Sequence, residues 1–366
     1  MRPKRSGRRP SRLADLIGEH LRVTGTEQHN DGDVGQMKDG RLFAQTLFAA
    51  SLIVGGLLSA PAAAHAADKV KVGVFPVSSS LPYFIARDLG YFQELNIEPE
   101  MITLMGGPPN VAALITGQIE VSVVLVTLEG LNANLKKPGA AMYVAMNGQN
   151  ASHRMEQFVV RSGLADKVKS LADFKGLKLM SAPGPANLNT AKGILAKVGL
   201  KDGDYTIDQL DMGQHVNAMK AGTFDGGYTL EPNASVMNQL GFAKTVEAGV
   251  IAKYVLGDPQ SDPFAAGCAF SADFIAKRPD VAKRFAAAWA KALDLIKRDP
   301  QEARKHLLKN TLTPENVVDS VPMLGYVMVK DMTPKQIDDL QTFANFGHDI
   351  GVVPEKVDVR KYLQPF

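Results

Sequence analysis

KVKVGVFPVSSSLPYFIARDLGYF, Lys69 to Phe92, is the stretch on which the reading of the chain turns. Val70, Val72 and Val74 alternate as a short strand. Ser78, Ser79 and Ser80 form a polar loop, and Pro82 opens a helix with Leu81, Ile85, Leu89 and Phe92 on one face. Proline suits the first helical turn, where no N–H is needed, and Ser80 is of the type that caps a helix start. A strand feeding a helix through a serine turn gathers free N–H groups and hydroxyls at one point. Such a point suits a small, often anionic, group. An ordinary capped βα unit would look the same.

Working outward, the βα pattern continues. Ile102–Leu104 reads as a second strand, followed by the loop Gly106-Gly107-Pro108-Pro109-Asn110 and a short helix to Gly117. Val121–Val126 is an uninterrupted apolar strand of the kind buried on both faces. It ends at Thr127-Leu128-Glu129, and the strand Ala141–Met146 ends at Asn147-Gly148-Gln149. Gln157–Arg161 is extended. The pattern then restarts. Leu177–Met180 is a strand, the loop Ser181–Asn187 leads into a helix, and Gly227–Leu230 is a strand that opens on Glu231-Pro232-Asn233. VAALITGQIEV from Val111 aligns without gaps on VNAMKAGTFDG from Val216. The same offset places Val72-Gly73-Val74 on Leu177-Lys178-Leu179, so two lobes of one topology are expected, facing each other across a cleft. The tail is helical: Val281, Phe285, Trp289, Ala292 and Ile296 make one apolar stripe, with Trp289 read as core.

Composition narrows the function classes. The chain has 366 residues, 45% hydrophobic and 22% charged, with room for two domains. Its net charge of +3 comes entirely from residues 1–66; the remainder carries as many acidic as basic side chains, which argues against nucleic acid as a partner. Cys268, in an apolar run, is the single cysteine, so neither an intrachain disulfide nor a cysteine metal site is available. It reads as a small buried hydrophobe. Residues 42–60 are mostly apolar after Lys38 and Arg41, and Ala64-His65-Ala66 is an A-x-A cleavage signal. Residues 37–66 are therefore expected to be a cleavable signal peptide, without a cysteine for lipid attachment, and the product a soluble periplasmic protein. Residues 1–36 lack a hydrophobic period and are expected to be disordered, with Met37 as an alternative start.

The residues VGVFPVSSSLPYFIARDLGYFQELNIEPEMI and GGPPNVAALITGQIEVSVV, then Thr229, Glu231 and Pro232, then RPDVAKRFAAAWAKAL from Arg278, resemble exported solute-binding proteins of the nitrate/sulfonate/taurine class. These serve ATP-driven importers, and the likeness covers about 69–362. The resemblance implies an α/β type II periplasmic-binding-protein fold, two similar βα lobes around a central cleft. It places one lobe at 67–160 and 265–366 and the other at 161–264, with crossings near Val160 and Phe264. It implies a monomer that captures a small-molecule ligand by hinge closure and delivers it to an ABC permease of the inner membrane. No catalytic residue, cofactor or metal is implied.

The loop residues expected to contact ligand are Ser78, Ser79, Ser80, Asn110, Thr127, Asn147, Gln149, Asn187 and Glu231; each could equally be a cap or turn residue. These loops hold no basic residue but two carboxylates, Glu129 and Glu231. A carboxylate in a closed cleft must be paired or its pKa rises. Glu231 thus suggests a ligand with an amine, amidine or ring N–H, unless it is a helix-start charge. His153, Arg154 and His215 are the positive groups that could admit a sulfonate or nitrate instead. The alternative function is an enzyme like the thiamine-pyrimidine synthases of the same superfamily. Those use a cysteine-rich stretch and a reactive histidine, and no Cys/His cluster is present here.

Overall fold

A computed structural model describes residues 66–366, which belong to one unit. The expected extension at 1–36 and signal peptide at 37–66 lie outside the described residues except for Ala66. No helix among the described residues is long and apolar enough to cross a membrane.

Among the described residues eleven strands form two sheets: β1 Asp68–Val74, β2 Ile97–Thr103, β3 Val121–Val126, β4 Met142–Gly148, β5 Glu156–Arg161, β6 Lys178–Ser181, β7 Thr206–Gln209, β8 Gly226–Leu230, β9 Ala243–Ala248, β10 Ala266–Phe270 and β11 Gly325–Met328. The first sheet runs β11-β4-β10-β3-β1-β2 and the second β7-β6-β8-β5-β9. Setting β11 aside, β2-β1-β3-β10-β4 matches β7-β6-β8-β5-β9 position for position. In each sheet the antiparallel member is the strand that has just arrived from the other sheet: β10 follows β9, and β5 follows β4. The internal repeat is therefore structural. The helices Gly107–Thr116 and Met212–Lys220 occupy equivalent places and lead into β3 and β8.

One expectation shifts. β5 pairs with β8 and β9, so Val160 lies inside the second sheet. The chain changes sheets between β4 and β5, over residues 149–155, ahead of the expected crossing. It returns between β9 and β10, and Phe264 falls in that return.

The opening stretch folds as expected at the strand and differs in the helix. Val70, Val72 and Val74 are buried. Ser78–Ser80 is a turn of 3-10 helix leading into the helix Leu81–Asp88. Gly90 adopts φ 76° and starts a new short helix, Tyr91–Glu94, so Leu89 leaves the apolar face and is 41% exposed while Phe92 stays buried. Ser80 does not cap; its hydroxyl donates to the Phe75 carbonyl at 2.6 Å. Phe92 packs on Phe285, ring centroids 4.5 Å apart, in the helix Pro279–Arg298. Trp289 of that helix and Cys268 of β10 are buried core, as read, and burial pushes the Cys268 thiol well above its ordinary range. Full burial of side chains such as Phe92 and Phe285 stabilises the fold by roughly 2–3 kcal/mol each.

Candidate functional site

Residues at the carboxyl ends of β3 and β8 line one cavity of ≈ 40 Å³. One wall comes from the first lobe: Phe75, Val77 and Ser79 after β1, Val124 and Val126 of β3, and Gln149 after β4. The other comes from the second lobe: Glu156 of β5, Tyr228 and Leu230 of β8, and Asn187 and Thr190 of the helix Pro185–Lys197. The lining contains no lysine, arginine or histidine. A larger open groove of ≈ 370 Å³ runs between Met105 and Leu312 on one side and Met212 and Asn233 on the other, and Val77 borders both spaces.

Glu156 is the carboxyl group in the lining of the cavity. It is 1% exposed, and neither carboxylate oxygen has a hydrogen-bond partner among the described residues. Burial pushes its carboxyl up to about 8; the N–H groups of Glu156 and Ile251 pull the other way without standing in hydrogen-bond geometry. Burial, with the nearby Glu156 adding to it, also drives the Tyr228 phenol far above its usual range. Unpaired, Glu156 is thus mostly protonated at neutral pH.

Two contacts hold the lobes together beside the cavity. The Ser78 N–H donates to the Glu231 carbonyl at 3.1 Å. Glu129, in the first turn of the helix Thr127–Lys136, accepts from the Ala186 N–H at 3.2 Å through Oε1, while its Oε2 has no partner among the described residues. The carboxylate lies in a slot walled by two glycines: a Cβ on Gly107 would stand 1.4 Å from Oε2, and one on Gly184 2.5 Å from Oε1. Both glycines adjoin helix starts, at Gly107 and Pro185, whose N-terminal dipoles favour the ionised carboxylate. Burial outweighs them and pushes Glu129 up to about 7.

Of the nine residues expected to contact ligand, Ser79, Gln149 and Asn187 line the cavity. Ser78 serves through its backbone: its carbonyl accepts from Tyr326 Oη at 2.7 Å, and its buried hydroxyl has no partner among the described residues. Ser80 is bound to its own loop. Asn110 is held internally, donating to Gly106 O at 2.8 Å and accepting from Ser122 Oγ at 2.9 Å. Thr127 donates to Phe264 O at 2.6 Å. Asn147 reaches Ser79 O at 3.5 Å. Glu231 is fully engaged: Gln157 Nε2 and Ser235 Oγ donate to Oε1, and the Ser235 N–H donates to Oε2 at 3.1 Å. It is a helix-start charge inside its own lobe, and burial raises it to about 7. His215 is held by Thr229 Oγ1 at 2.8 Å and Leu210 O at 3.0 Å, and burial lowers it to about 4, so it is neutral at pH 7. Neither His153 nor Arg154 reaches the cavity wall. Glu156 was missed, because as the residue before QFVVR it reads as the unremarkable head of a strand.

Comparisons with known proteins agree with this fold. The chain has the periplasmic-binding-protein fold. It superposes on the alkanesulfonate-binding protein SsuA of Xanthomonas axonopodis pv. citri bound to MOPS with a TM-score of 0.65 at 20% identity, covering 81% of this chain and 98% of that one. The aliphatic sulphonate binding protein SsuA of Escherichia coli gives 0.63 at 18%, covering 82% and 93%. The nitrate-binding protein NrtA of Synechocystis PCC 6803 gives 0.62 at 14%, covering 81% and 86%. Residues 63–312 match the NMT1-like family, and the chain belongs to it. No curated protein sequence matches.

Proposed function

We propose that this chain is the exported substrate-binding component of an ABC-type importer, which captures a small organic solute between its lobes and hands it to an inner-membrane permease. The observation that carries the reading is the cavity, enclosed by strand ends of both sheets and flanked by the Ser78–Glu231 and Glu129–Ala186 contacts. Two chain crossings, at 149–155 and 249–265, form the hinge. The lobes part about them, solute enters by way of the groove that Val77 shares with the cavity, and the lobes close on it around a space wider than the ≈ 40 Å³ seen here. The relatives of this fold are binding proteins for sulfonates and nitrate, which supports binding without chemistry as the role.

Small-angle scattering on the purified chain tests this. A radius of gyration that shrinks when a solute raises the melting temperature supports the reading. A broad panel of sulfonates, amines and pyrimidines that moves neither quantity removes it. N-terminal sequencing of the exported protein should find a start near Ala67.

A further inference from the structure

We infer that the solute is a compact organic cation, an amine or amidinium, whose N–H donors pair with the Glu156 carboxylate. The inference rests on the binding-protein reading and names the chemistry of its ligand. Its basis is a mismatch in the closed cavity. Glu156 is buried, lines the space, and has both oxygens without a hydrogen-bond partner among the described residues. Buried carboxylates are nearly always satisfied, so a bare one at a cavity wall marks a place for a missing donor.

The rest of the lining fits the same ligand. No basic side chain is present to meet a sulfonate or nitrate. Phe75, Tyr228 and Phe343 supply aromatic surface for an apolar body. Gln149 brings an amide, Asn187 its amide oxygen (the nitrogen donates to Pro183 O at 2.7 Å), and the Ser79 hydroxyl is engaged only weakly, with the Met155 sulfur at 3.6 Å. The helix start at Pro185 does not attract an anionic ligand, because Glu129 already stands at it. A cation paired with Glu156 replaces the lost hydration of both groups by a charge-assisted hydrogen bond, which an anion cannot do.

The test is isothermal titration of the purified chain with propylamine, benzylamine and benzamidine, set against benzyl alcohol, benzenesulfonate and nitrate. The amines or benzamidine should bind at least about tenfold more tightly than the neutral and anionic probes. Glu156→Gln should weaken that binding by about 100-fold, the scale of breaking a buried pair. Glu156→Asp, which keeps the charge on a shorter arm, should lose less and retain the preference for cations. It also serves as the readout if Glu156→Gln does not fold. Tighter binding of benzenesulfonate or nitrate than of any amine overturns the inference and leaves a binding protein. Undiminished amine binding by Glu156→Gln overturns it as well. Failure of all six probes to bind overturns the inference, while the reading beneath it stands or falls on the broader panel that includes pyrimidines.

Discussion

Glu156 and Glu231 leave the same strand pair, yet one is bare and the other is saturated. Glu156 stands opposite Leu230 in the β5–β8 ladder, and Glu231 is the next residue, its N–H donating to Met155 O at 2.9 Å. Both are 1% exposed. Alternation along β5 separates them. Glu156 lines the cavity; Gln157, one residue on, donates to Glu231. Gln157 is itself fixed by Thr245 Oγ1 at 2.8 Å. Two buried acids on one strand pair thus divide into a strut and a socket. The difference lies in which neighbours supply donors, since burial and residue type are the same.

The strut should be the more damaging to remove. Glu231→Ala leaves one buried and two part-buried donors without an acceptor and should lower unfolding free energy by about 3–5 kcal/mol, read from urea denaturation. In the ligand-free protein Glu156→Gln should cost nothing, or stabilise by about 1 kcal/mol, because it removes a buried carboxyl that has no partner. Equal losses in the two variants would erase the distinction between them.

Acidity separates the two residues further. The Glu156 carboxyl is raised in the folded state to about 8, above its unfolded value. Below the unfolded value the proton is bound in both states and stability is full. Above it the unfolded chain sheds the proton first, so stability falls as pH rises from about 5 toward 8, by at most about 1.4 kcal/mol per unit for this one group. Glu129 and Glu231, each raised to about 7, add the same sign over a narrower window. Groups near Glu156 leave its share readable: the Tyr228 phenol stays neutral throughout, and Arg154 is exposed. The gap between Glu156→Gln and wild type should therefore widen in the variant's favour between pH 5 and 8. A constant gap would mean that Glu156 is ionised and paired in the free protein.

The smallest effect is expected at the interlobe contact. Glu129→Gln keeps an oxygen for the Ala186 N–H but places an amide in the slot beside Gly107. It should change solute affinity by no more than about fivefold, by titration calorimetry. A loss as large as that of Glu156→Gln would make Glu129 a second ligand group.

Much of the fold was legible from residues 69–92 and from the offset repeat, because periodic apolar positions report packing directly. The boundary between lobes was less so. QFVVR looks the same whether its partners are β4 or β8, and only the ladder shows that β5 is the strand inserted from the other lobe. The serine and asparagine loops were placed near the cleft, but their hydroxyls and amides went their own ways. Ser80, Asn110 and Thr127 turned to backbone or neighbouring groups; Ser79, Gln149 and Asn187 line the cavity, though the Asn187 amide also donates to Pro183 O at 2.7 Å. Short polar side chains satisfy either partner equally, and nothing local decides between them. Glu231 drew notice as a carboxylate in a cleft loop, and its oxygens are held by Gln157 and Ser235. The bare acid was Glu156, whose isolation follows from what surrounds the cavity and not from its neighbours in sequence.

The central claim can be tested on one nucleus. Carbon-13 NMR of the Glu156 carboxyl, assigned by its loss in Glu156→Gln, follows titration in the free protein and with saturating benzylamine. The account predicts a midpoint near 8 without ligand, falling below about 5 when the cation is bound. A midpoint that does not move on adding the amine, or that already lies in the ordinary carboxylate range without it, would contradict the account.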